Sequence, residues 1–351
     1  MTPEITLSPI ATVDDHGYAE LRARVRELGL LRRRPFYYFA LIAVIVGSLA
    51  GGVALMAVIG DSWWQLALAP LFAVVFAQLG FLGHDAGHRQ VFAGRRANDA
   101  AGLLFGNLGI GLAYGWWIDK HRRHHADPND VERDPDVSGE SIAFTAAQAR
   151  ARGRAGRLLA RYQAWAFFPM LLLEGLALHV AGVKAVFGPG YRRRWLEIAL
   201  LAAHVVIAVL VLLAVMSPLK ALAFVAVQQG LFGVYLGCAF APGHKGMPMT
   251  GRGQKLGFLP RQVLTTRNVT GSRFNEVLLG GLNFQIEHHL FPNMPRVALR
   301  HARPLVRRHL DERGLPYHET SLFGCYRLAL GHLDRVGRRA TGAPGESRPV
   351  R

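Results

Sequence analysis

The sequence predicts an all-α integral membrane protein, with four transmembrane helices in two hairpins and a cytoplasmic helical cap. Three observations carry this reading. First, 51% of the 351 residues are hydrophobic, and they gather in long runs with few charges, which points to several membrane spans rather than a soluble core. Second, the formal net charge of +17 sits mostly on arginines at the ends of those runs, the positive-inside pattern. A nucleic-acid binder can be as basic, but its charges would not alternate with apolar spans, so no nucleic-acid partner is expected. Third, three short histidine clusters fall on one side of the membrane once the spans are counted.

Residues 1–35 read as a cytoplasmic leader. Met1 to Asp15 is polar. From His16 to Arg34, Leu21, Val25 and Leu28 recur at helical spacing among Arg22, Arg24 and Arg26. That pattern predicts a basic amphipathic helix on the membrane surface, with a solvated leader helix as the alternative. Arg32, Arg33 and Arg34 mark the following span as entered from the cytoplasm. No cleavable signal peptide is expected, because the first apolar run begins near Phe36, behind this polar stretch. The two cysteines, Cys238 and Cys325, predict neither a disulfide framework nor a zinc ribbon.

The spans are expected at about 36–59, 64–82, 195–216 and 221–241. The first two are joined by Gly60-Asp61-Ser62, a polar turn without a basic residue, and Trp63 and Trp64 suit an interfacial aromatic belt. The second pair is joined by the short turn Ser217-Pro218-Leu219-Lys220, whose lysine is the one outward exception. Between the pairs lie weaker segments. Gly94 to Asp119 is glycine-rich and flanked by Arg95, Arg96, Lys120, Arg122 and Arg123, so it is not expected to span. An acidic, proline-marked loop follows from Asp127 to Asp136. Ala164 to Phe187 is apolar but carries Glu174, His179 and Lys184, and it reads as a re-entrant or surface segment, with a span as the alternative. Both termini then fall inside.

The clusters are His84 and His88, then His121, His124 and His125, then Gln285, His288 and His289. Their offsets of three and four place the side chains on one face of a helical turn, about 5–6 Å apart at Cβ. Seven imidazoles exceed the four ligands of one structural zinc, so two metal ions sharing the three clusters is the simplest reading. Imidazole suits iron, zinc, copper and nickel alike. A dinuclear, electron-fed site just below the bilayer would suit dioxygen activation against a lipid-like chain.

The pattern HxxxH, HxxHH, QxxHH with this span layout resembles the membrane fatty acid desaturase family. The stretch Asn283-Phe284-Gln285-Ile286-Glu287-His288-His289-Leu290-Phe291-Pro292 carries the resemblance most strongly. Gln285, the loop Asp134-Pro135-Asp136 and the run Thr265-Thr266-Arg267-Asn268-Val269 resemble the front-end branch. The resemblance covers roughly Pro35 to Leu310, which implies a membrane desaturase domain at 36–310 and a cytoplasmic tail at 311–351. It implies an oxygen-dependent enzyme that places a cis double bond in a long acyl chain, with two iron ions in a non-haem di-iron centre. The ligands it implies are His84, His88, His121, His124, His125, His288 and His289, with no catalytic group beyond the metal site. No His-Pro-Gly-Gly motif of a fused cytochrome b5 domain occurs, so a separate electron donor is expected: a ferredoxin, a cytochrome b5 or a reductase. The other partners implied are the acyl substrate and membrane lipids, in a bacterial plasma membrane.

His244 is the expected eighth imidazole. Pro242-Gly243 should break the fourth span and set His244 in the layer of His84, with Lys245 turning toward water or lipid phosphate. Gly243 stands where relatives lead one to expect asparagine. Gln285, Asp85, Asp119 and Glu287 are candidates for the metal or for the carboxylate and amide partners that ligating imidazoles require. His179 reads as a surface-helix histidine, and mid-span His204 as an interhelical hydrogen-bonding group. The glycosylation pattern at Asn268 falls on the cytoplasmic side and is set aside. Two rival readings are a di-iron hydroxylase or ketolase acting on lipid, and a membrane metal transporter. The transporter would place its ligands near mid-bilayer.

Overall fold

A computed structural model describes residues 16–139, 141–251, 254 and 256–341, and these are mostly helical. The polar leader expected at 1–15 and the end of the tail, 342–351, lie outside the described residues. Four helical stretches are long and apolar enough to cross a membrane, and up to six if each of two bent pairs is one span.

The first elements are α1 (His16–Glu27) and α2 (Pro35–Ile59). Leu21 and Val25 of α1 are buried in a cluster with Leu259, Val263, Phe291, Leu299 and Leu310. His309 Nε2 meets Gly17 O at 2.7 Å, and Arg313 pairs with Glu20. The helix expected on the membrane surface therefore lays its apolar stripe on the C-terminal half of its own chain. Only Leu28 of the three stripe residues is turned out.

A 3-10 turn at Trp63–Leu68 leads into α3 (Ala69–Gly87). Pro70 sits in its first turn, where a missing N–H costs no hydrogen bond. α4 (Arg95–Gly102) runs into a π-helical turn, Leu103–Gly109, and α5 (Tyr114–Ala126) leaves it at 115°. α6 (Ala146–Arg150) precedes α7 (Arg154–Leu171) and α8 (Glu174–Phe187), which meet at 82°. The segment read as re-entrant, 164–187, is thus a broken helix. A Cβ on Gly233 would lie 2.4 Å from Leu171 O and 2.7 Å from Gly175 N, so glycine lets the fourth apolar helix press against this bend.

That helix is α10 (Pro218–His244), preceded by α9 (Arg194–Val215). Pro218 begins α10 at its first turn, so the expected four-residue turn is shorter than the sequence suggested. Lys220 binds Asp61 Oδ2 at 3.0 Å, and Ser217 N donates to Asp61 Oδ1 at 2.7 Å. The lone lysine at this end is therefore neutralised by the carboxylate of the other turn.

The helix break expected at Pro242-Gly243 does not occur: α10 continues through Pro242 to His244. Proline removes the hydrogen bond to the carbonyl four residues back, here that of Cys238. Tyr326 Oη replaces the missing donor, at 2.6 Å. Arg267 then caps the helix end, donating to Pro242 O at 2.7 Å and Lys245 O at 2.9 Å from Nη2.

Beyond α10 come α11 (Phe258–Leu264), β1 (Asn268–Thr270), α12 (Arg273–Leu278), a 3-10 turn at Leu282–Phe284 and α13 (Gln285–Leu290). α14 (Arg296–Asp311), β2 (Glu319–Ser321) and α15 (Leu322–Thr341) complete the chain. β1 and β2 pair in parallel, Asn268 opposite Glu319. This small ladder is a departure from the all-α expectation. α15 packs along α7 and α10, and it carries Tyr326 to Cys238.

Candidate metal centre

The first cluster sits at the C-terminal end of α3, the second on the last two turns of α5, and the third on α13. His244 closes α10. These four elements converge. His84, His88, His121 and His288 form one group, and His124, His244 and His289 a second, with the ligating atoms of each group within 4.8 Å of one another. His125 lies between the groups. Its Nε2 is 3.1 Å from His121 Nε2, and its ring stacks 4.1 Å from that of His289.

The tautomers follow from what holds each Nδ1. Asp134 Oδ2 lies 3.0 Å from His124 Nδ1, and Asp85 Oδ1 lies 3.3 Å from His84 Nδ1. Thr265 O lies 3.3 Å from His244 Nδ1. These oxygens only accept, so each Nδ1 carries the proton and each Nε2 a lone pair. Gln262 is fixed the same way: its amide nitrogen donates to His125 O, which turns Oε1 to His289 Nδ1 at 2.8 Å.

Lone pairs consequently face one another. His124 Nε2 and His244 Nε2 are 3.2 Å apart. The Nε2 atoms of His84, His288 and His289 are buried with no hydrogen-bond partner. Burial and the neighbouring imidazoles hold His288 and His289 well below the usual histidine range, so both rings stay neutral. Neutral imidazoles with orphaned, converging Nε2 atoms are what a metal-binding donor set requires. The residues fit two ions.

The sequence pattern that defines the fatty acid desaturase family matches residues 61–321, which include all three clusters. The chain belongs to the fatty acid desaturase family. It is 30% identical to an acyl-lipid (9-3)-desaturase of Physcomitrium patens over 87% of this chain and 59% of that one. The chain thus spans less than two thirds of that relative's length. It is 29% identical to a Delta(6)-fatty-acid desaturase of Caenorhabditis elegans, over 91% of this chain and 74% of the relative. It is 30% identical to a Delta(5) fatty acid desaturase of the same organism, over 96% and 81%.

In this family member the candidates around the histidines part ways. Asp85 reaches His84 and also pairs with Arg296 Nε at 2.5 Å and Tyr38 Oη at 3.0 Å. Asp119 is turned outward, 3.3 Å from Arg123. Glu287 is buried, but it accepts from Asn268 Nδ2 at 2.7 Å and Tyr317 Oη at 2.7 Å. It ties α13 to β1 rather than supporting a ring. Asn268, noted for its glycosylation pattern and within the Thr265–Val269 run, is buried here, and its Oδ1 accepts from Ile286 N. Gln285 places its amide 2.8 Å from His244 Nε2. A Cβ on Gly243 would lie 2.7 Å from Gln285 Cγ, which leaves no room for the asparagine expected there.

Reading the chain alone missed Asp134, Asp136, Gln262 and Thr265 as partners of the ligand rings. The Asp-Pro-Asp loop was visible as a resemblance. Its role depends on the turn at Asn129, whose N–H binds Asp134 Oδ2 at 2.8 Å and folds the loop back onto His124. Lys245 also differs from expectation: its ammonium turns inward, to Asp136 O at 3.0 Å and over the Phe144 ring at 4.3 Å. His179 bonds Ile110 O at 3.1 Å, away from the centre. His204 makes the expected interhelical bond, Nδ1 to Leu108 O at 2.9 Å.

Proposed function

We propose that the chain is an oxygen-dependent desaturase that introduces a cis double bond into a long acyl chain carried on coenzyme A or lipid. The observation that carries this reading is the convergence of seven imidazoles in two groups with His125 between them, three of the rings having orphaned Nε2 atoms. Two iron ions, when bound, supply the dioxygen and redox chemistry that an unactivated C–H bond demands. His84, His88, His121 and His288 would hold one ion, and His124, His244 and His289 the other, with His125 placed to serve either.

The chain's own part is orientation and exclusion of water. Asp85, Asp134, Gln262 and the Thr265 carbonyl fix the Nδ1 protons, which aims each Nε2 inward and raises its basicity. Trp117 stacks on His121 with ring centroids 4.5 Å apart and covers it from one side. Gln285 fills the space against Gly243, with its amide beside His244 Nε2. Two electrons per turnover would come from a separate donor, a ferredoxin, a cytochrome b5 or a reductase.

The same reading sets the four long helices as two hairpins and the centre on the cytoplasmic face, in a helical cap. Arginine flanks one side of the spans, while the other side holds Asp61 and Lys220 paired with each other. The relatives named above are eukaryotic and lend no support to a bacterial source. The reading is tested by expressing the chain in a host without the activity and profiling its fatty acids. A new cis-unsaturated acyl species is expected. A hydroxylated product alone, or no product from iron-loaded protein in the membrane, would overturn it.

A further inference from the structure

α9 is the most apolar of the four long helices, yet its only buried residue is a carboxylate. Glu197, in the first turn, is 1% exposed. A buried carboxylate persists only where donors meet it. Glu197 Oε2 accepts from Asn107 Nδ2 at 3.0 Å, from Tyr191 Oη at 2.9 Å and from the backbone N–H of Gly115 at 3.2 Å. None of these groups belongs to the histidine clusters. Gly115, however, lies in the first turn of α5, the helix that carries His121, His124 and His125.

The first turn of a helix leaves N–H groups without partners inside it. α5 has no side-chain cap at its N-cap residue, Ala113, and no acidic residue in its first turn. Its open N–H groups are met from outside the helix. Tyr114 N donates to Asn107 Oδ1 at 3.1 Å, Gly115 N to Glu197, and Trp116 N to Tyr191 Oη at 2.9 Å. Asn107 and Tyr191 each bind Glu197 as well, so the three acceptors form one network centred on its carboxylate. A carboxylate there also complements the positive end of the helix dipole. The close approach depends on glycine: a Cβ on Gly115 would lie 2.5 Å from Glu197 Oε1 and 2.8 Å from Tyr191 Oη. About two turns along α9, His204 binds Leu108 O at 2.9 Å and holds the π-helical turn that leads into α5.

We infer that Glu197 is a positioning residue for the metal centre: by capping α5 it sets the height and rotation of His121, His124 and His125. Gly115 precedes His121 by about 9 Å along the helix axis, so the cap acts through the helix and touches no ligand ring. His121 belongs to one group of ligating atoms and His124 to the other, so a displaced α5 disturbs both. A misplacement of about 1 Å can cost about 100-fold in such a site. The inference rests on the two-metal reading of the centre.

The test is cobalt(II) binding by the full-length protein in detergent. It is followed by the visible ligand-field bands of the metal and by competition with a chelator, and needs no turnover. The wild type should take up two cobalt ions. Glu197→Ala should bind them at least about tenfold more weakly and with altered bands, because the rings no longer converge. Glu197→Gln keeps an oxygen at the same reach and should recover most of the loss. Gly115→Ala leaves the carboxylate in place but forces α5 away from it. It should resemble Glu197→Ala, and it carries the decision if Glu197→Ala does not fold. A purely structural cap would lower the melting temperature of Glu197→Ala and leave the affinity and bands of its folded form as in the wild type. That result, or wild-type binding in Gly115→Ala, overturns this inference alone. A wild type that binds no cobalt overturns the two-metal reading, and this inference with it.

Discussion

His124 is held by Asp134, whose Oδ2 lies 3.0 Å from Nδ1, and this aims Nε2 at His244 Nε2, 3.2 Å away. The carboxylate does not touch the second group of ligating atoms, yet it sets the direction of one of them. Asp134→Ala should therefore cost roughly 10- to 100-fold in metal affinity or activity. Iron retained against a chelator is the measurement. Retention equal to the wild type would mean that Asp136, whose Oδ2 lies 3.4 Å from the same Nδ1, suffices to orient the ring.

Tyr326 stands in for the donor that Pro242 lacks. Tyr326→Phe takes the donor from the half-buried Cys238 carbonyl, which should destabilise the protein by about 1 kcal/mol. The loss should also loosen His244, nearly two turns further on. Thermal unfolding and iron content should fall together. An unchanged melting temperature would show that water replaces the hydroxyl.

The placement of α1 separates a packed helix from a surface one. Leu21 is 1% exposed and Leu28 is 53% exposed. Leu21→Ala should destabilise by about 2–5 kcal/mol, while Leu28→Ala should stay within about 0.5 kcal/mol. Equal small effects from both, together with weaker membrane partitioning, would restore the membrane-surface role.

The orientation is checked with single cysteines at two exposed positions, Asp61 (53%) and Arg133 (67%). An impermeant thiol reagent applied from outside should label Asp61→Cys and spare Arg133→Cys. The reverse result would place the histidine centre on the outer face.

Much of this architecture was legible in the chain. The spans came from hydropathy and arginine placement, and the clusters from helical offsets, because both depend on neighbours in sequence. His244 was reached for the right layer but through the wrong local structure. The proline signal argued for a break, and only the distant hydroxyl of Tyr326 lets α10 continue. Asp134, Gln262 and Thr265 were out of reach for a similar reason, since each meets its histidine only after a loop folds back. Lys245 and α1 were misplaced because an amphipathic or charged segment near a membrane reads alike whether it meets lipid or its own protein. Leu259 and Asp136, which decide the matter, lie far away in sequence.

The most direct test of the two-metal account is the metal content of an active preparation, compared with three variants. Two irons per chain are expected in the wild type. His124→Ala and His244→Ala should each lose iron and desaturated product together while the protein stays in the membrane, and Gln285→Ala should be milder. A single zinc per chain with desaturation intact, or full iron and near-normal turnover in His244→Ala, would contradict it.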